Sequence, residues 1–443
     1  MTQANSKSGA IEAGRLARLK AQARDHLLFY GRELSDTLIT QAHGARLRDE
    51  TGREIIDFAS GQMCSTLGHS HPAIVTAIEE ATANAIHIDS TKIAPEVVEL
   101  AAELAALLPP TLDKSMFLST GGESNEAAIR LAKKHTGGFE IASLANSWHG
   151  TTAAAASSTF SSGRKGYGPA MAGAYALPPP YAYRCPVRHC EGRCDMTCLD
   201  VGFEMFDTWS TGAGAAVIVE PVQSAGGIIV PPDGWLRRVR EHAAARGMLV
   251  IYDEAQTGLG RLGLNFGFEH EGQPPDLMTL SKTLGAGVPL SALVTGGAVA
   301  ESAKSKGFSF YTSHANDPLP ARVGLAVVRT LVGENLAARA REMGAHLRQG
   351  LDDLAQRYEM LGDVRGRGML VGLEFVHDRK SKRRNPEMVD RATKRAFELG
   401  LIVNRPGGAA HCWRIAPPLT IERGDIDTAI AIMDQALRDS GAR

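Results

Sequence analysis

The chain has 443 residues, 44% of them hydrophobic and 22% charged, with a net charge of −1. That length exceeds one ordinary core and predicts two domains, or one large α/β domain with a smaller partner. The neutral balance excludes a general attraction to nucleic acid or anionic membrane, and no apolar run nears the roughly 18 residues of a membrane helix.

Residues 1–9 are polar and lack the apolar core of a signal peptide, so a cytoplasmic protein is expected. Residues 1–24 as a whole show helical spacing and predict a loose arm. Segments 45–48 and 55–58 flank Glu50-Thr51-Gly52 in the pattern of a hairpin. Ser60-Gly61-Gln62-Met63 follows, and by residue type Gln62 is a polar loop residue. His69 and His71 are spaced as a metal pair could be, but His71-Pro72 reads better as the entrance of a helix running through Ala83. Ser119-Thr120-Gly121-Gly122-Glu123 precedes Ala127, Ala128, Leu131 and Ala132 on one helical face. Such a start is ordinarily a cap with a glycine turn. Two glycines there also let N–H groups approach an anion, and the helix dipole adds to the attraction. Segment 141–149 predicts a strand ending on Trp148-His149.

Residues 178–198 break the alternation with Pro178-Pro179-Pro180, then Cys185, Cys190, Cys194 and Cys198, with His189 among them. Four thiolates could hold zinc, but the spacing lacks a CxxC knuckle, and a reduced insertion is the plainer reading. Segment 215–221 is another strand and loop, ending on Glu220-Pro221. Segment 240–246 belongs to the helix before the apolar run 248–253, which ends on Asp253. Leu280-Ser281-Lys282 then closes the next strand-like stretch before a glycine turn. A lysine at a strand end is ordinarily exposed. Shielded on one side, however, an amine loses pKa and becomes nucleophilic. An acid at one strand end and a lysine at the next form the pair that a pyridoxal phosphate site requires. Asp317-Pro318 fits a helix N-cap with proline in first position. The basic run 379–384 reads as a solvated loop. The last helix carries Ile426, Ile430, Met433 and Leu437 on one face, after Asp425 as its cap.

Asp253-Glu254-Ala255-Gln256-Thr257-Gly258-Leu259-Gly260-Arg261, with Pro275-Asp276 and Ser281-Lys282, resembles the signature of class III (fold type I) pyridoxal-phosphate-dependent aminotransferases. The similarity runs from about Phe29 to about Leu437. Through Ser60-Gly61-Gln62-Met63 and Trp413-Arg414-Ile415-Ala416-Pro417-Pro418 it leans toward the branch of 2,2-dialkylglycine decarboxylase.

The resemblance implies an α/β fold with a large, mostly parallel α/β/α domain over 71–325. A small α+β domain would come from 1–70 and 326–443. It implies that Thr120, Gly121, Gly122, Trp148, His149, Asp253, Gln256 and Lys282 bind pyridoxal 5'-phosphate, with Trp148 stacked on the ring. Thr312 and Ser313 would reach the phosphate of the neighbouring subunit, which makes a homodimer, or a dimer of dimers, the working unit. Gln62 would support a departing carboxylate and Arg414 would grip a carboxylate in the ring plane. An alkali-metal ion, potassium or sodium, would sit on Ser90, Asp317 and the carbonyls of Ile88, Ser313 and Ala315.

The implied activity is a decarboxylating transamination that passes the amine of an amino acid to a 2-oxo acid such as pyruvate. An ordinary aminotransferase is the alternative within the enzyme class, and a non-catalytic pyridoxal-binding homologue is the alternative outside it. Three departures from the branch bear on substrate choice. Ala225 stands for a serine, Thr151 stands for a methionine, and the loop 405–411 brings an extra arginine, Arg405, toward Arg414.

Overall fold

A hairpin opens the fold: β1 (Ile39–His43) and β2 (Arg46–Asp49) are antiparallel, and β3 (Glu54–Asp57) pairs back on β2. The computed structural model describes residues 13–442 except 32, 162–165, 167, 189 and 191–193. Residues 1–12 of the expected arm lie outside that set. Ala13–His26 is a helix with no buried residue, as its polar sequence dictates.

The centre is a seven-stranded sheet made of β4 (Lys114–Leu118), β5 (Glu140–Leu144), β6 (Ala174–Leu177), β7 (Gly214–Val219), β8 (Leu249–Asp253), β9 (Leu277–Leu280) and β10 (Ser291–Thr295). Its order is β4-β10-β9-β8-β7-β5-β6, and β10 runs antiparallel to both of its neighbours while the remaining pairs are parallel. Strands buried on both faces read as continuous apolar runs, and Ala215–Val219 and Val250–Tyr252 are buried throughout. The helix Gly121–Thr136 packs across β7 to β10 through Ala127, Ala128, Leu131 and Ala132. In parallel sheets the loops at the carboxyl ends carry the chemistry. β8 ends on Asp253, and Lys282 lies two residues beyond β9.

A three-stranded antiparallel sheet follows, from β11 (Leu361–Arg367) and β12 (Leu370–Phe375) to a last strand, Cys412–Ile415. Between these, β13 (Leu401–Ile402) pairs parallel with β3 and joins the C-terminal segment to the opening hairpin. The last strand, β14, is fixed by Trp413. That ring is fully buried, meets Phe375 edge-on at 5.0 Å, and its Nε1 donates to Thr393 Oγ1 at 2.7 Å. The residue after Trp413 is Arg414, so this packing fixes the backbone from which its guanidinium extends.

Candidate active site

Lys282 opens a single turn after β9, with φ +46°, in the left-handed region that non-glycine residues seldom occupy. The residue as a whole is half-buried. Burial pulls its pKa down, Asp253 opposes that shift, and the positive charge of Arg414 adds to it. The result is an amine closer to its nucleophilic form than a surface lysine.

Asp253 is buried at the end of β8. Its Oδ2 accepts from His149 Nδ1 at 2.9 Å and from Asn125 Nδ2 at 2.8 Å, and its Oδ1 accepts from the Ala255 N–H at 3.1 Å. Burial pushes the carboxyl up, yet the hydrogen bond and charge of His149, the charge of Lys282 and the bond from Asn125 bring it below its ordinary value. Asp253 is thus held as an anion. Asn125 is held in turn, because its Oδ1 accepts from Thr279 Oγ1 at 2.6 Å and its Nδ2 also donates to the His149 carbonyl at 2.7 Å. His149 Nε2 is buried and has no partner among the described residues.

The expected phosphate loop is a capping box. Thr120 Oγ1 accepts from the Glu123 N–H at 3.3 Å, and Glu123 Oε2 accepts from the Thr120 and Ser119 N–H groups at 3.0 Å each. The N–H groups of Gly121 and Gly122 remain among the first-turn donors that a helix cannot satisfy internally. A Cβ on Gly121 would lie 2.8 Å from Ser281 Oγ. Gly150 has φ +133°, and a Cβ there would lie 2.6 Å from Gly122 Cα. The backbone at Gly122 therefore leaves room only for glycine at 150, while a side chain at 121 would have to displace the Ser281 hydroxyl. Free N–H groups, a shielded lysine, a buried anionic aspartate and the exposed ring of Trp148, at 39%, form a donor set that fits pyridoxal phosphate.

Strand β5 stops at Leu144, four residues before Trp148. The chain turns at Asn146, φ +67°, which carries Trp148 and His149 on a loop and not on the strand the sequence predicts. Gln62 lies in a distorted turn, φ +64°, and its Oε1 accepts from Asn404 Nδ2 at 3.0 Å. Arg414 is buried, and its Nη1 donates to Gln256 Oε1 at 3.0 Å. Gln256 Oε1 also accepts from Ser224 Oγ at 2.7 Å. Arg405 follows Asn404, whose backbone bridges Arg414, and its guanidinium pairs with Asp390 on the helix Pro386–Glu398.

Thr312 is half-buried and Ser313 exposed in the single chain. Ile88, Ser90, Ser313, Ala315 and Asp317 lie on two loops, one before the helix Pro95–Leu107 and one before Pro318–Gly333. Asp317 does not cap its helix with its side chain. Its Oδ1 accepts from His87 Nδ1 and its Oδ2 from His314 Nδ1, each at 2.6 Å. A hard alkali ion prefers oxygen donors. Both oxygens of its one carboxylate thus carry imidazole partners, so nitrogen donors stand beside the oxygens expected to hold the ion. Cys185, Cys190, Cys194 and Cys198 form no disulfide among the described residues, and His189 lies outside them. Burial and contact with the Cys185 thiol push the Cys190 thiol up to about 11.

Sequence reasoning missed Asn125, Asn404 and Glu220. Asn125 announces itself as a polar residue on an otherwise small, apolar helix face. Glu220 follows an apolar strand just as Asp253 does. It is buried one residue beyond β7, with Oε1 accepting from the Trp148 N–H at 3.3 Å and Oε2 from the Ser224 N–H at 3.0 Å. Burial pushes its carboxyl up to about 7; His149 opposes this and the charge of Asp253 adds to it.

Residues 30–437 match the family described as aminotransferase class-III. The chain is 43% identical over 419 residues to an uncharacterized aminotransferase of Schizosaccharomyces pombe, covering 94% of each. It is 33% identical over 406 residues to a leucine/methionine racemase of Thermococcus litoralis, covering 90% of each. Its fold superposes on a Bacillus anthracis aminotransferase with a TM-score of 0.91 at 26% identity, covering 97% of this chain and 100% of the other.

Proposed function

The chain belongs to the class III aminotransferases, and we propose that it passes the amino group of an amino acid to a 2-oxo acid such as pyruvate and, on the strength of Gln62, that it decarboxylates the donor in doing so. The observation that carries the transfer is the pairing of Lys282 and Asp253 at neighbouring strand ends, each shifting the other's ionisation. Pyridoxal phosphate, when bound, draws electrons from the bond broken at the substrate α-carbon. Asp253 would hold the ring nitrogen's positive charge, Trp148 would cover the ring face, and the N–H groups of Gly121 and Gly122 would hold the phosphate. Lys282 Nζ would bond the aldehyde and, once displaced by substrate, hold and move the α-proton. Arg414 would grip a substrate carboxylate in two-pronged fashion.

Decarboxylation rests on Gln62. Asn404 donates to its Oε1 at 3.0 Å, which leaves the amide N–H groups to face a carboxylate that stands out of the ring plane. The working unit in this reading is a homodimer or a dimer of dimers, in which Thr312 and Ser313 serve the partner's site. The relative named a racemase favours a second reading, in which the proton removed by Lys282 returns to the opposite face. One experiment separates these readings. The holoenzyme is incubated with 2-aminoisobutyrate, with and without pyruvate, and separately with enantiopure leucine. Carbon dioxide and acetone, with alanine formed from pyruvate, support the decarboxylating reaction. Amine exchange between alanine and oxo acids without carbon dioxide identifies an ordinary aminotransferase, and loss of leucine's optical purity identifies a racemase.

A further inference from the structure

Away from Lys282, two histidines and one aspartate from distant parts of the chain converge. His87 lies on the loop before Pro95–Leu107, while His314 and Asp317 lie on the loop that enters Pro318–Gly333. The two imidazoles address different oxygens of one carboxylate, His87 Nδ1 at Oδ1 and His314 Nδ1 at Oδ2, both at 2.6 Å. Their ring centroids are 5.1 Å apart, and one ligand atom from each of the three residues lies within 4.8 Å of the others. The carboxylate side chain is 7% exposed, while those of His87 and His314 are 49% and 63% exposed. A buried acid with two nitrogen donors at its accessible side is a donor set with an entry path.

We infer that His87, His314 and Asp317 form a binding site for a divalent transition-metal ion of the zinc class. Imidazole nitrogens with one carboxylate suit zinc, nickel or cobalt, and disfavour potassium, sodium, calcium and magnesium, which take oxygen. Zinc–nitrogen and zinc–oxygen bonds of about 2.0–2.2 Å place tetrahedral ligand atoms roughly 3.3 Å apart. The observed separations of 2.6 Å therefore open by roughly 0.7 Å as the ion replaces the shared protons. That movement falls on the two exposed rings. Asp317 stays fixed, because its carbonyl accepts from the Ala321 N–H, and Asn316 is tied to β4 through Phe117 in both directions. Three protein ligands leave a fourth position for water or for a donor from another chain. The ion would also pin the segment that carries Thr312 and Ser313. That consequence rests on the proposed dimeric site, whereas metal binding itself does not.

The test is equilibrium dialysis of the cofactor-loaded protein against zinc, with bound metal counted for wild type, His87→Ala, His314→Ala and Asp317→Asn. Wild type is expected to hold one more equivalent than each variant. Losing a direct ligand weakens the site by more than the about 10–100-fold that losing an outer partner costs. Zinc held by the four cysteines persists in the variants and is told apart in that way. Cobalt loaded in place of zinc shows d–d bands that the His314→Ala variant loses. Equal metal content in wild type and all three variants overturns the inference. So does activity that answers only to potassium against sodium at equal ionic strength and loses that answer in Asp317→Asn, since that result assigns the site to an alkali ion.

Discussion

Replacing Asp253 with asparagine removes one negative charge and little else in volume. The structure says what that costs. Asp253 accepts three hydrogen bonds, from His149, Asn125 and Ala255, and is 4% exposed, so no solvent takes over the lost charge. An asparagine must turn its amide nitrogen toward one of these donors. Turned toward Asn125, it opposes Nδ2, which Asn125 cannot rotate away without giving up its bond from Thr279. Turned toward Ala255, it opposes a backbone N–H. Either choice strands a buried donor, and the positive charge expected opposite Asp253 loses its partner. Breaking a buried charge pair from one side costs about 3–5 kcal/mol, which is roughly a 10²- to 5 × 10³-fold loss in rate if felt only in the transition state. The assay is single-turnover amine transfer from alanine, monitored by the visible absorbance of the bound cofactor, with cofactor content measured first. An Asp253→Asn protein that holds a full complement of cofactor and turns over within about threefold of wild type, ~0.7 kcal/mol, refutes the assignment.

Lys282→Ala is expected to lose the absorbance of covalently held cofactor and to lose turnover, while fluorescence titration still detects weak cofactor binding; normal turnover sinks the central assignment. Gln62→Ala should slow carbon dioxide release by roughly 10–150-fold, the rate equivalent of about 1.5–3 kcal/mol for a hydrogen bond to a charged group. Transamination of alanine should be slowed less, and equal slowing of both reactions contradicts the role given to Gln62. Glu220 makes stability fall with rising pH, because its carboxyl is raised from 4.5 to about 7 in the fold, so the native state holds the extra proton across that window and loses the advantage above it. The full penalty is about 3 kcal/mol. Melting temperatures of Glu220→Gln between pH 5 and 8 should show a shallower decline than wild type, though not a flat one, since Glu254 is likewise raised to about 7; an unchanged decline rules Glu220 out as a source.

Lys282 and Asp253 were legible because each closes a short apolar run, and a charge at the end of a buried strand is conspicuous. The glycine cradle was legible because Gly121-Gly122 sits between a strand and a helix face. Other features depend on contacts that no local pattern encodes. The place of β10, antiparallel between β4 and β9, is a matter of chain crossing, and its sequence is as apolar as the parallel strands of the same sheet. The pattern of 141–148 predicts a strand ending on Trp148, and it is the left-handed turn at Asn146 that ends the strand early. The partners of Asp317 lie 230 and 3 residues away. The pairing of Arg405 with Asp390, 15 residues earlier on a helix, has no local signal either.

The two buried acids of the pocket are set to different charges by the donors around them. Asp253 receives one imidazole, one amide and one backbone N–H, and stays ionised. Glu220 receives two backbone N–H groups, feels the charge of Asp253, and keeps its proton until about pH 7. Environments that push neighbouring titratable groups apart assign them different roles. The reason for the separation lies in Lys282. Burial and the charge of Arg414 depress its pKa, while Asp253 and Glu220 both oppose that depression. A second anion in the pocket would hold the amine protonated and blunt it as a nucleophile. Because Glu220 is raised to about 7, it gives up its negative charge below that pH, and there Asp253 is left as the anion that the cofactor's ring nitrogen would balance.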